Sequence, residues 1–181
     1  DDNFYMSMCY TDENLVKFFD VVSKSIGSRK VPKVPSLRNE LCFDSKGVLY
    51  FEDFRSLSDR SLRKIDKDGK SEKFNPAGLE EIIGSADVCN IKGMGYDSSM
   101  ERLIISGGSY QSAIRQFISI DLNYGKVSLI ASMKREGNNL TGFAVDKKGD
   151  IYFSTTSYKY PAKEDNGRVV RISKNLWVYL F

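Results

Sequence analysis

The chain contains no histidine. That removes Ser-His-Asp and Cys-His nucleophilic catalysis, histidine-ligated metal centres and imidazole pH sensing. Cysteine is scarce as well. Cys9, Cys42 and Cys89 are widely spaced and no Cys-x-x-Cys pair occurs, so neither a zinc nor a dithiol motif is written here. Buried free thiols, or one disulfide with a leftover thiol, are the two readings left open. No apolar run approaches the ~18–20 residues that a membrane-spanning helix needs. Neither sign of charge dominates: 27 Lys and Arg against 24 Asp and Glu leave a formal +3, too small an imbalance to point to nucleic acid. The densest basic run, Arg29-Lys30-Val31-Pro32-Lys33, is punctuated by proline and reads as a solvated linker. Neither an initiator Met nor a signal peptide is present, and the start at Asp1-Asp2 reads as that of a processed or trimmed polypeptide.

What is present is an ordinary globular composition over 181 residues, 41% apolar and 28% charged, enough for one domain with a proper core. The aromatics are mostly Tyr and Phe, which favours strands. An internal repeat then decides the fold. Leu41-Cys42-Phe43-Asp44-Ser45-Lys46-Gly47-Val48-Leu49-Tyr50-Phe51 matches Phe143-Ala144-Val145-Asp146-Lys147-Lys148-Gly149-Asp150-Ile151-Tyr152-Phe153, and Gly95 to Ile105 is a third copy with one extra residue in its turn. The key Asp positions 44, 97 and 146 are 53 and 49 residues apart. Each copy has a second half: Leu62 to Asp66, Phe117 to Asp121 and Val169 to Ser173, ending 22, 24 and 27 residues after the first Asp. Asn3 to Ser7 and Leu15 to Phe18 read as a partial copy.

Each unit reads as an apolar strand, an Asp-x-x-Gly turn and a second apolar strand, then a third and fourth strand around a further Asp- or Tyr-Gly turn. Asp caps the turn with its own carboxylate and Gly supplies the positive φ. Four strands per ~50 residues is the blade of a β-propeller. The expected architecture is all-β, with about four antiparallel blades in units 1–36 (partial), 37–88, 89–138 and 139–181. The third strand, Leu62 to Asp66, reads as half-exposed, and Ala77 to Ile83 as one or two helical turns linking blades. A six-bladed ring would need about 300 residues. The chain is therefore a closed four-bladed ring, a part of a longer propeller, or half of a ring completed by a second copy. In the first case Leu176-Trp177-Val178-Tyr179-Leu180-Phe181 would close the ring on the N-terminal strands.

The pattern (apolar)-x-(apolar)-Asp-x-x-Gly-x-Leu-Tyr, followed by Leu-x-Lys-Ile-Asp-x-x-Gly-Lys, resembles the superfamily of NHL-repeat, gluconolactonase-like and streptogramin-lyase-like propellers. Leu140 to Tyr152 is the stretch most similar to it. The resemblance covers nearly the whole chain and implies architecture more than activity. Streptogramin-lyase-like enzymes depend on a histidine, which is missing here. Gluconolactonase-like enzymes bind a divalent metal through Glu, Asn and Asp at the channel mouth. Their usual Asn-Gly-Leu or Pro-Asp-Gly ahead of the repeat strand is replaced by Arg38-Asn39-Glu40-Leu41, Ile91-Lys92-Gly93-Met94 and Asn139-Leu140-Thr141-Gly142.

Blade topology places the loops between second and third strands on one face, together with the blade-to-blade links, and the Asp-x-x-Gly hairpins on the other. The loops Glu52 to Ser61, Ser106 to Arg115 and Ser154 to Arg168 are thus the expected recognition elements. Tyr158, Tyr160, Glu164 and Asp165 lie in the longest of them, and Tyr-rich insertions suit sugar or protein contacts. Ser109 and Tyr110 follow Gly107-Gly108, whose backbone N–H groups could meet an anion. Glu52 and Asp53, with Asn90 from the next link, offer oxygen ligands for Ca²⁺ or another divalent metal, or an acid and a base; the alternative is a solvated acidic turn facing Arg55 or Arg60. The sequence thus points to a non-catalytic propeller that needs no cofactor and binds protein or glycan. A metal-dependent hydrolase and a structural segment of a larger ring are the alternatives. The glycosylation-type triplet Asn139-Leu140-Thr141 points to an extracellular or periplasmic setting.

Overall fold

A computed structural model describes residues 3–7, 15–20, 25–30, 37–56, 59–83, 91–107, 114–134, 138–157 and 167–176. They form four antiparallel sheets in chain order. The first holds β1 (Asn3–Ser7), β2 (Leu15–Asp20) and β3 (Ser25–Lys30). The second holds β4 (Leu37–Phe43), β5 (Leu49–Ser56), β6 (Asp59–Ile65) and β7 (Ser71–Lys73). A short helix, α1 (Leu79–Ile83), occupies the link to the third sheet, which holds β8 (Gly93–Asp97), β9 (Arg102–Gly107), β10 (Ile114–Asp121) and β11 (Val127–Lys134). The fourth holds β12 (Asn138–Val145), β13 (Ile151–Ser157) and β14 (Arg168–Ile172), followed by a 3₁₀ turn at Lys174–Leu176. Every sheet is a simple meander. The first strands of successive sheets touch one another, β1 with β4, β4 with β8 and β8 with β12. First strands innermost, sheets radiating outward: this is the arrangement of a β-propeller.

The hairpins are built as the repeat implies. Asp44 Oδ1 accepts the N–H groups of Lys46 and Val48, both at 2.9 Å. Asp66 does the same for Asp68 and Lys70, and Asp146 for Lys148 and Asp150. Gly47, Gly69 and Gly149 close these turns at φ of 78°, 85° and 85°, a region that costs an ordinary L residue about 1–2 kcal/mol. The longer third hairpin puts Glu101 there instead, at φ 52°. Its Asp97 accepts from the Ser99 N–H and hydroxyl at 3.0 and 2.6 Å.

Packing then follows from alternation along the middle strands. On β9, Leu103 and Ile105 face the second sheet while Ile104 faces the fourth. On β10, Ile118 and Ile120 join the first of these clusters and Phe117 the second. On β5, Tyr50 packs toward the third sheet, and Leu49 and Phe51 form a separate cluster with Ile65. Leu62 and Ile65 of β6 are both buried, on opposite faces. The strand is half-exposed as expected at Arg63, Lys64 and Asp66, but its two apolar residues are buried on opposite faces and not on one.

The inner strands approach so closely that side chains are omitted on one of them. A Cβ at Gly93 would collide with the Phe143 ring, and one at Gly95 would lie 2.6 Å from Val145 Cγ2. At the hairpin end the same two sheets are tied by charge. Lys174 Nζ reaches Asp97 Oδ2 at 3.3 Å and Ser99 Oγ at 2.6 Å. The Lys174 N–H donates to Asp150 Oδ1 at 2.8 Å, and Arg171 binds Asp150 Oδ2 through Nε and Nη2. The Lys174 N–H first, and Arg171 second, hold the Asp150 carboxyl below its usual range. Of the proposed ring-closing run 176–181, only Leu176 falls within the described residues.

Two outcomes follow. Gly93→Ala should cost about 1–3 kcal/mol of stability by overpacking, read as a lowered urea midpoint, whereas alanine at the open Gly47 position should act through φ strain alone. Cys42 is a free thiol that burial, reinforced by Asp44, pushes up to about 12. In peptide maps of the folded protein it should therefore resist iodoacetamide at pH 8, and it should react fully in denaturant.

Candidate binding face

The strand directions sort the connections. The hairpins at 44–48, 66–70, 97–102, 121–126 and 146–150 share one end of the sheets. The connections from β5 to β6, β9 to β10 and β13 to β14, and the links between sheets, share the other. Described side chains at this second end are unusually polar for a strand interior. Glu40 on β4, Glu52 and Asp53 on β5, Ser106 on β9, Arg115 on β10 and Thr155 on β13 are buried or half-buried, and exposed Lys92 immediately precedes β8.

Glu52 and Asp53 do not lie in a solvated acidic turn. Strand β5 continues to Ser56, and the two carboxylates are 5% and 1% exposed. Consecutive strand residues point to opposite faces, so the pair does not converge on one ion or one substrate. Glu52 turns toward the third sheet and accepts the Ile91 N–H at 3.2 Å, which fastens the chain entering β8 to the second sheet. Asp53 lies 3.8 Å from Arg63 Nε on β6. Among the described residues, no group of three or more Cys, Asp or Glu is placed to hold a metal. Glu52 and Asp53 thus point away from each other, and Asn90, the third residue of the metal reading, lies outside the described residues. Asn90, Ser109, Tyr110, Tyr158, Tyr160, Glu164 and Asp165 lie outside the described residues.

Three residues not singled out as ligands by the sequence reading define the face more clearly. Glu40 lies on β4 within electrostatic reach of Lys92, ahead of β8, and of Arg115 on β10. Burial raises the Glu40 carboxyl above its ordinary value, and Lys92 and Arg115 partly offset this. Adjacent to them, the Lys92 N–H donates to the Ser106 carbonyl at 2.8 Å. Part of the signal was available: Glu40 and Lys92 stand four and five residues before the turn Asp of two successive units. The result is a mixed-charge group of side chains at the loop-bearing end.

No protein-family model and no curated protein sequence matches the chain. Solved structures do match in fold. TolB from Acinetobacter baumannii superposes with a TM-score of 0.59 at 12% identity, over 98% of this chain and 39% of that one. A quinonprotein alcohol dehydrogenase-like protein from Bacteroides thetaiotaomicron gives 0.55 at 17% identity, over 96% and 42%. An auxiliary nutrient binding protein from the same organism gives 0.52 at 11% identity, over 93% and 38%. The chain is a β-propeller by geometry and by this likeness. It spans about two fifths of the length of the structures it resembles. None of the helices among the described residues is long and apolar enough to cross a membrane.

The Glu40 environment gives a prediction with a definite sign. Its folded-state value is raised, so the native state binds more protons than the unfolded chain above pH 4.5, and stability falls as pH rises through that window. Glu40→Gln should therefore raise the urea midpoint at pH 7, and the gain should vanish below pH 4.5. An equal difference at both pH values would contradict this assignment.

Proposed function

We propose that the chain is a non-catalytic binding propeller of the NHL-repeat and gluconolactonase-like kind, which recognises a protein or a glycan through its loop-bearing end. The observation that carries this reading is the set of buried or half-buried polar side chains at that end, Glu40, Glu52, Ser106, Arg115 and Thr155, beside exposed Lys92. Mixed charge set around half-buried polar groups suits hydrogen-bonded ligands, and a rigid β scaffold holds such groups in place without further ordering cost. The segment between β13 and β14 carries Tyr158 and Tyr160 in its sequence, residues of the type that sugar and protein contacts favour. The separation of Glu52 from Asp53 supports binding over metal-dependent hydrolysis. The fold likeness to a protein named for nutrient binding is consistent with such a role, and we place the protein outside the cytoplasm.

The test is direct binding of the purified chain to a printed array of soluble glycans and a panel of extracellular proteins, with lactone and ester hydrolysis assayed in parallel. Capture that Lys92→Glu reduces at least tenfold, about 1.4 kcal/mol, and that the Tyr158→Ala, Tyr160→Ala double variant also weakens, is the expected result. Lactone turnover abolished by Glu52→Gln would overturn it in favour of the hydrolase.

A further inference from the structure

A cavity of about 80 Å³ opens in the third sheet, toward its hairpin end. Arg102 of β9, Ser119 and Asp121 of β10, and Lys126 and Ser128 at the start of β11 line it. Register explains how five polar side chains share one hollow. Asp121 is paired with Arg102 across β9 and β10, and its N–H donates to the Lys126 carbonyl at 2.9 Å. One step further in on the same face, buried Ser119 stands directly opposite Ser128. Side chains two apart on a strand share a face. All five therefore lie on the side that carries Ile104, Phe117 and Ile130.

The other sheets show that this place need not be hollow. Lys64 pairs with Tyr50 and Glu72 as Ser119 pairs with Ile104 and Ser128. Lys64 thus stands where Ser119 stands, and Glu72 where Ser128 stands. In the second sheet these two form an ion pair at 3.0 Å, and Lys64 Nζ lies 5.6 Å from the centre of the Phe74 ring. In the fourth sheet Arg171, bound to Asp150, takes the place of Ser119. Both sheets fill the position with a long cation that a carboxylate already neutralises. The third sheet has two serines there. Its cations stand at the edge of the space instead: Arg102 where the second sheet has Val48 and the fourth has Asp150, and Lys126 where the second has Lys70.

The lining is rich in hydrogen-bond donors. Arg and Lys side chains donate and accept nothing, and each serine adds a hydroxyl. Asp121 is the single carboxylate, and its Oδ1 accepts the Asn123 and Tyr124 N–H groups at 2.9 and 3.0 Å. Two cations against one carboxylate leave the lining net positive. A metal cation would need several oxygen ligands and does not fit. A ligand that is negatively charged and only accepts hydrogen bonds does. The volume equals roughly two to three waters at about 30 Å³ each, which suits a single tetrahedral group and is smaller than a sugar ring.

We propose that this cavity binds a tetrahedral oxyanion, a phosphate or sulfate group. Arg102 and Lys126 supply the opposing charge, and the Ser119 and Ser128 hydroxyls orient the oxygens. The site stands apart from the loop-bearing end and does not depend on the role proposed for that end.

The test follows the melting temperature of the purified chain at pH 7 while sodium phosphate or sodium sulfate replaces sodium chloride at constant ionic strength. The expected result is a saturable rise with either oxyanion. Lys126→Ala, at an exposed position, should raise the half-saturating concentration about tenfold through the loss of one charge-assisted hydrogen bond. Ser119→Lys combined with Ser128→Glu rebuilds the ion pair of the second sheet inside the cavity and should abolish the saturable rise in a chain that still folds. Glucose 6-phosphate is the third titrant. A rise as strong as that with inorganic phosphate assigns the site to ester groups, and no rise assigns it to the free ion; either keeps the site. A rise that grows linearly without saturating is the general effect of these salts and overturns the proposal. So does no rise beyond chloride, which would make the cavity a water-filled hollow, or a saturable rise that Lys126→Ala leaves unchanged, which would place the ion elsewhere.

Discussion

A sheet whose middle strands carry large apolar side chains on both faces can exist only between two neighbours. That constraint governs this molecule. Ile104 and Ile105 are adjacent on β9, point in opposite directions and are both fully buried. The same holds for Phe117 and Ile118 on β10, and on β5 Leu49 and Phe51 are fully buried on one face while Tyr50 between them is buried on the other. Fully burying one such side chain is worth about 1.5–3 kcal/mol, so each sheet draws much of its stability from the sheets beside it. Radial stacking satisfies this demand in sequence order, and repeat proteins are held by such nearest-neighbour terms.

The close approach at the axis follows from the same constraint. Inner strands converge, so β8 gives up side chains at Gly93 and Gly95 where Phe143 and Val145 of the fourth sheet press in. The hairpin end has less apolar area to bury and uses polar ties instead: Ser45 Oγ to Glu101 between the second and third sheets, and Lys174 to Asp97 between the third and fourth. The loop-bearing end uses Glu52 to hold the Ile91 N–H. Both boundaries within the second-to-fourth series thus have an apolar centre and a polar fastening at the hairpin end, and the first of them has another at the loop-bearing end. Glu40, Lys92 and Arg115 add further charge toward that end.

How much of this was legible in the sequence depends on the range of the interaction. The turns at Asp44, Asp66 and Asp146 could be read outright, because the carboxylate, the bonded N–H groups and the glycine all lie within four residues of each other. Strand order followed from the turns. The burial of Glu52 and Asp53 was not legible. Two adjacent acids ahead of Arg55 read as a solvated turn, and only the length of β5 and the burial of both side chains show otherwise. The reason for Gly93 and Gly95 was equally hidden, since it lies some 50 residues away in Phe143 and Val145. The Glu40 rim is a partial case. Its residues sit at a recognisable offset in the repeat, but their mutual influence exists only once the sheets are stacked.

The central claim is that successive sheets stack face to face with their first strands adjacent at the axis. It is tested most directly by joining two of those strands. A Cβ built on Gly95 lies 3.2 Å from Val145 Cβ, close to the ~3.5–4.5 Å span of a disulfide. The Gly95→Cys, Val145→Cys double variant should therefore form an intramolecular disulfide on mild oxidation of the folded monomer, seen as a single cross-linked peptide. Two free thiols at these positions in a folded, oxidised sample would contradict the stacking and the account built on it.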